Sequence, residues 1–82
     1  MSNMDFVEID GKIIYYNINS VFLNCKYDKY GQLSKAQRMI LFFDDSKNAI
    51  GSVAYYDDID KVTNISRVDV IKVYKDNMGN RE

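Results

Sequence analysis

The sequence predicts one small, mainly β domain: an antiparallel sheet or partly open barrel of five to six strands, with room for one short helix at 34–43 or 57–63. Nine Ile and seven Val stand against three Leu and three Ala, and eleven aromatic residues accompany them. These residue types suit a pleated surface. Apolar and polar residues also alternate in runs that are bounded by turn residues. We expect a single domain over 1–82 with frayed ends at 1–4 and 76–82.

The first element is a β-hairpin. Asp10-Gly11 between the strand-like runs 6–9 and 12–16 is typical of a type I′ turn, in which both central residues take positive φ. The register set by this two-residue loop places four apolar residues on one face: Val7, Ile9, Ile14 and Tyr16. The other face is apolar too: Phe6, Ile13 and Tyr15. Two apolar faces require a second layer or a partner.

The next stretch predicts a turn, a strand and a loop. Residues 17–20 are mostly polar and are interpreted as a turn. The run 21–27 alternates, which indicates a half-buried strand with residues 21, 23, 25 and 27 pointing inward. Residues 28–32 then form the loop that ends this strand.

The run 33–43 fits two interpretations. A capping-box pattern over 34–37 and an apolar stripe at helical spacing favour a helix. The unbroken apolar run 39–43 favours a strand, and so does Asp44-Asp45, because a helix dipole disfavours negative charge at its C-terminus. The strand is preferred. It would form a hairpin with residues 50–56 through a loop at 46–47.

That second hairpin has a predicted register, and the last third of the chain follows from it. The expected pairs are Phe43 with Ile50, Ile40 with Val53, and Phe42 with Gly51. The acidic residues after the hairpin leave the strand through one helical turn begun by Asp57. Residues 65–74, rich in Val and Ile, are predicted to return as the last strand.

Several classes of chemistry are excluded by composition. The chain has no His, which removes Ser-His-Asp triads, Cys-His dyads and His-ligated zinc. The lone Cys25 has no partner for an intramolecular disulfide. The acidic groups at 44–45 and 57–60 sit at opposite ends of one hairpin, roughly 20 Å apart. We interpret them as turn residues, and we predict no metal and no cofactor.

Charge and hydropathy indicate the compartment. The formal net charge is -1, so the broad positive field that captures a phosphate backbone is absent, and nucleic acid is a disfavoured partner. The N-terminal residues lack the pattern of a signal peptide, and no apolar run is long enough to span a bilayer. We expect a cytoplasmic protein with no membrane partner.

Seven tyrosines are the feature most suggestive of binding, because Tyr combines a large apolar area with a polar tip. In the doublets at 15–16 and 55–56, one ring must point away from the core. The candidate partner-binding residues are Tyr15, Tyr27, Tyr30, Arg38, Tyr55 and Tyr56. The alternatives are that outward tyrosines only pair across strands, or that they stack on unpaired bases.

These observations predict a small non-enzymatic protein-binding module of the regulator or inhibitor type, whose partner is another protein or a second copy of itself. The first alternative is a single-stranded nucleic-acid binding protein, and the weakest is a small metal-dependent enzyme. The abundance of Ile, Asn, Lys, Asp and Tyr is typical of a low-GC bacterial or phage-borne gene. The function is thus predicted from excess apolar strand surface and outward tyrosines.

Overall fold

A computed structural model describes residues 4–62 and 64–79 of the chain. In chain order it contains the elements β1 (Asp5–Ile9), β2 (Lys12–Tyr27), β3 (Leu33–Phe43), β4 (Ala49–Asp58) and α1 (Arg67–Asn77). The strands form one antiparallel sheet in the order β1-β2-β3-β4, so each pairs with its neighbour in the chain. The mainly β class is confirmed. The described residues form four strands rather than five to six, in an open sheet with β1 and β4 at its edges.

The first hairpin forms as predicted. Asp10 and Gly11 take φ values of 51° and 81°, the positive values that a type I′ turn requires. The pairs Val7 with Ile14 and Phe6 with Tyr15 match the expected register. The four apolar residues predicted to share a face, from Val7 to Tyr16, are all buried.

The second strand is longer than predicted. The expected turn at 17–20 is wrong, because these residues pair with β3 in an unbroken ladder. Their polar groups are accommodated in the strand: the Ser20 hydroxyl, for example, donates to the Val62 carbonyl at 2.8 Å. Beyond Val21 the next paired residue is Cys25, so residues 22–24 bulge out of the ladder. The inward orientation expected for Leu23 and Tyr27 is wrong, since they are 97% and 66% exposed. It is also wrong for Val21, which pairs with Gln37 on the side of β3 away from the buried residues.

The preferred interpretation of 33–43 as a strand is confirmed, and the helix alternative is wrong. Ile40 pairs with Val53, and Phe42 pairs with Gly51, as expected. The predicted pair of Phe43 with Ile50 is wrong, because the register shifts there and Phe43 pairs with Ala49. A Cβ on Gly51 would lie 2.6 Å from the Met78 Cε, so the absence of a side chain lets Met78 pack under β4.

The last third of the chain departs most from expectation. Residues 59–62 form turns rather than a helix, and Thr63 lies outside the described residues. The last strand predicted over 65–74 is wrong, because residues 67–77 form the helix α1. Ser66 caps this helix by accepting from the Asp69 N–H at 3.1 Å, and Lys75 in the last turn complements the helix dipole.

The predicted fraying of the C-terminal residues is wrong over 76–79. The helix continues to Asn77, and the Met78 side chain is buried. Residues 1–3 and 80–82, where fraying was also expected, lie outside the described residues.

The core lies between α1 and one side of the sheet, which we call the inner face. Its buried strand residues are Val7, Ile9, Ile14, Tyr16, Ala36, Arg38, Ile40 and Phe42. Val70 and Met78 are buried against it, and the Tyr74 ring meets the Phe42 ring edge-on at 5.1 Å. Burial raises the pKa of the Tyr16 hydroxyl, and the nearby Asp5 charge adds to this effect. The phenol therefore stays neutral inside the core.

Candidate interaction surface

The side of the sheet opposite α1, which we call the outer face, is also apolar. The strand alternation places seven large side chains there: Phe6, Ile13, Tyr15, Met39, Leu41, Phe43 and Tyr56. Phe6 and Tyr56 are exposed, and the other five are partly exposed. The one helix of the described residues packs on the inner face, so the outer face has no covering layer in that part of the chain. Such contiguous apolar surface is typical of a binding site.

Two lysines cover aromatic rings of the outer face. The Lys47 Nζ lies 5.1 Å from the centroid of the Tyr15 ring, and the Lys26 Nζ lies 4.4 Å from that of Tyr56. Phe6 meets Tyr15 edge-on at 6.1 Å. An ammonium above a ring is attracted by the negative face of the π system. The outer face therefore presents apolar rings with positive charge above two of them.

An exposed ion pair stands at the end of β3 and β4 on the same side. The Lys35 Nζ lies 3.1 Å from the Asp58 Oδ1, and Lys61 lies 3.9 Å from the other carboxylate oxygen. The hydrogen bond from Lys35 and its positive charge lower the pKa of the Asp58 carboxyl. The carboxylate therefore stays ionised at neutral pH and reduces the net positive charge of this end of the surface.

A second exposed apolar region lies where β2 and β3 extend beyond β4. We call it the hairpin tip; its residues are Phe22, Leu23, Tyr27, Tyr30 and Leu33. The three-residue bulge in β2 exposes the first two. In the loop, the Asp28 carboxylate accepts from the backbone N–H groups of Tyr30 and Gln32, at 2.9 and 3.0 Å. These bonds order the turn, so the exposed Tyr30 ring is held on a defined backbone.

On the inner face, Arg38 is a buried structural residue and not a residue that a partner could contact. Its guanidinium forms an ion pair with Asp57 at 2.9 Å and donates to the Tyr55 hydroxyl at 3.0 Å. It also donates to the backbone carbonyls of Lys61, Val62 and Asn64 in the segment that leads to α1. A buried charge is tolerated when its donors are satisfied in this way. Arg38 thus holds the segment between β4 and α1 against the inner face of the sheet.

The six sequence candidates fall into three places. Tyr15 and Tyr56 lie on the outer face, and Tyr27 and Tyr30 lie at the hairpin tip. The remaining two, Arg38 and Tyr55, lie on the inner face and contact each other. Because Arg38 is only 2% exposed, it is corrected from a surface contact to a structural residue, whereas Tyr55 is partly buried beside it.

Several surface residues were not among the sequence candidates. They are Phe6, Ile13, Met39, Leu41 and Phe43 on the outer face, and Phe22, Leu23 and Leu33 at the hairpin tip. The sequence feature that could have identified them is a run of apolar residues at both odd and even positions of a strand, because such a run indicates two apolar faces. The bulge that exposes Leu23 had no such signal.

The acidic groups serve the backbone and the ion pairs described above. The Asp44 carboxylate accepts from the backbone N–H groups of Ser46 and Asn48, both at 2.9 Å, and so closes the loop between β3 and β4. Asp57 and Asp58 pair with Arg38 and Lys35. Over residues 4–62 and 64–79, no three Asp, Glu or Cys side chains gather as ligands for a metal ion.

Comparison with known proteins adds no relative: no family model, no curated protein and no solved structure matches this chain. Among the described residues, no helix has the length and apolar character needed to cross a bilayer. The geometry of the two surfaces is therefore the basis for any statement about function.

Proposed function

We propose that this protein is a small non-enzymatic binding module of the regulator or inhibitor type, which acts in the cytoplasm by docking its outer face on another protein. One observation carries the proposal. The sheet has two apolar faces, and the helix packs on one of them. On the other face, seven large side chains remain exposed or partly exposed, which forgoes the free energy of burial that a partner surface would supply.

The size of the outer face indicates that it does not act alone. Outside the hairpin tip the strands are 5 to 10 residues long, and at ~3.3 Å per residue and ~4.8 Å between strands they cover on the order of 500 Å². A standard interface buries about 800 Å² per partner. The hairpin tip, with its exposed Tyr27 and Tyr30, is the apolar surface available to supply the remainder. A partner that contacts both regions would meet four of the six candidates predicted from the sequence.

The available reactive groups support a role in binding rather than in catalysis. The chain has no His, and Cys25 is half-buried with its thiol directed at the Phe22 carbonyl. Asp44, Asp57 and Asp58 already take part in loop closure or in ion pairs. None of these arrangements offers a base beside a nucleophile, which covalent catalysis needs.

A second candidate is single-stranded nucleic-acid binding, which the lysines beside Tyr15 and Tyr56 favour. Two observations weigh against it. The ammonium groups lie over the ring faces on which a base would stack. The net charge of -1 also supplies little attraction for a phosphate backbone. Protein binding is therefore the function that the surface supports best.

The proposal is tested with a charge-neutral variant of the outer face, Leu41→Gln with Tyr56→Gln, and a matched control, Val68→Gln. Val68 is 74% exposed on α1, away from both surfaces. Tagged chains are used to capture partners from the native host. We expect a protein that is retained by the wild type and the control but lost by the double variant, with circular dichroism showing equal folding.

Two results would overturn this function. In one, the wild type captures nothing above background, or the double variant captures the same protein equally well. In the other, labelled oligothymidine binds tightly at low salt, is released at high salt and is lost in the double variant. The latter would establish nucleic-acid binding instead.

A further inference from the structure

The two edges of the sheet differ in how they are protected. β1 is five residues long and carries Asp5 and Glu8, and the Arg67 guanidinium of α1 lies 5.6 Å from the Phe6 ring. Charges, short length and a covering element are the usual means by which proteins block an edge. At the opposite edge, β4 is ten residues long. It contains no Lys, Arg or Pro, and its acidic residues, Asp57 and Asp58, are the last two of the strand.

The free side of β4 can therefore form hydrogen bonds with another strand. β4 pairs with β3 on one side only, so alternate N–H and C=O groups point away from the sheet. Ser52 and Ala54 on the outer face are small and exposed. They would not obstruct a strand that approached from this side.

The sequence of β4 is complementary to itself. In antiparallel pairing, opposite residues lie on the same face of the sheet. The two-fold axis that relates two copies of β4 must therefore lie midway between the two copies of one residue. With the axis at Val53, each Tyr55 lies opposite Gly51 of the other copy, where the apolar Met78 side chain of that copy packs. Ser52 then lies opposite Ala54, and Val53 opposite itself. Over residues 52–54, every pair is small with small or apolar with apolar.

The acidic residues favour this register over those nearer the end of β4. With the axis at Val53, the two copies of Asp57 stand roughly 26 Å apart. Moving the axis to Tyr55 would halve that separation and place Asp57 opposite the apolar Val53. Like charges repel, so the register with the axis at Val53 is favoured over the register with the axis at Tyr55.

We propose that β4 pairs antiparallel with β4 of a second copy of this chain, about a two-fold axis at Val53, so that two sheets join into one of eight strands. The outer faces of the two copies then become continuous. A single ladder buries less than about 1,200 Å², which is the range of weak complexes, so the dimer is expected to dissociate on dilution. This inference does not depend on the proposed partner protein.

The test is cross-linking between chains that carry one cysteine each, in a Cys25→Ser background. One chain carries Ser52→Cys and the other Ala54→Cys. In the proposed register these two positions are directly opposite, which suits a disulfide, whereas each position and its own copy are diagonal neighbours beyond reach. Oxidation of the mixture is expected to yield a disulfide-linked heterodimer several-fold faster than oxidation of either chain alone.

Sedimentation of the purified wild type provides the second measurement. We expect the average mass to rise with concentration toward that of a dimer. The variant Ser52→Lys with Ala54→Lys, which places four positive charges around the axis, should remain monomeric, while Val68→Lys should behave as the wild type. The proposal is overturned if the wild type is monomeric at millimolar concentration. It is also overturned if the single-cysteine chains cross-link alone as fast as the mixture.

Discussion

The two faces of β3 are nearly equally apolar, yet one is fully buried and the other remains partly exposed. Ile40 and Phe42 on the inner face are fully buried, whereas Met39, Leu41 and Phe43 on the outer face remain partly exposed. The difference does not come from the strand itself. It comes from a helix of eleven residues that can cover one side of the sheet. Over the described residues, one helix covers one apolar face of the sheet, and the other apolar face stays partly exposed.

Two neighbouring ion pairs show the same contrast in their electrostatics. Arg38 and Asp57 meet at 2.9 Å on the inner face, and Lys35 and Asp58 meet at 3.1 Å on the outer face. The Lys35 and Asp58 side chains are 46% and 49% exposed, so water screens their attraction. Arg38 is buried, and breaking its pair would leave the Asp57 carboxylate and several carbonyls without their partner.

The largest expected effect is therefore at Arg38. We expect Arg38→Met to lower the free energy of unfolding by about 3–5 kcal/mol, because it breaks a buried pair and releases the segment before α1. The matched change Lys35→Met should alter it by no more than about 1 kcal/mol. Urea denaturation of both variants measures the difference. Equal losses would contradict the contrast between the faces.

A smaller difference is expected between adjacent apolar residues of β3. Ile40→Ala removes a fully buried side chain and should cost about 2–4 kcal/mol. Met39→Ala, one residue away on the outer face, should cost less than about 1.5 kcal/mol, because its side chain is already in contact with water. Thermal and chemical unfolding give both values. A Met39 loss as large as that of Ile40 would indicate that a second copy or another layer covers the outer face.

The smallest effect concerns pH. Lys35 lowers the pKa of Asp58, so the folded state favours the ionised carboxyl. The stabilisation is present above the ordinary Asp pKa and is lost as the pH falls through the lowered value. In Lys35→Met the pKa of Asp58 should rise toward its ordinary range, as measured by NMR titration of the side-chain carboxyl. An unchanged pKa of Asp58 would show that Lys35 and Asp58 do not form this ion pair in solution.

Elements with local signals were predicted from the sequence. Asp10-Gly11 has the backbone preferences of a type I′ turn, which determines the register of the first hairpin without help from the rest of the chain. Asp44-Asp45 argued correctly against a helix at 33–43. Of the candidate site, alternation alone predicted that one ring of each tyrosine doublet points outward, and the structure places Tyr15 and Tyr56 on the outer face.

The errors occurred where local preference competes with packing. The β-branched residues of 67–77 favour a strand by propensity, yet the Ser66 cap and the helical spacing of Val70, Val73 and Tyr74 prevail. An uncovered inner face gives those side chains a surface to bury against. Arg38 was misplaced for a similar reason, since its burial depends on carbonyls more than twenty residues away.

The sequence by itself determined the β class, the first hairpin with its register, the strand character of 33–43 and the presence of two apolar faces, because turn chemistry and alternation act between near neighbours. The tertiary structure alone decided which face is covered. For the inner face to be covered, residues 67–77 had to form a helix despite their strand propensity. Arg38 also had to hold the segment before that helix against the inner face. Both depend on contacts between distant parts of the chain, which no local pattern specifies.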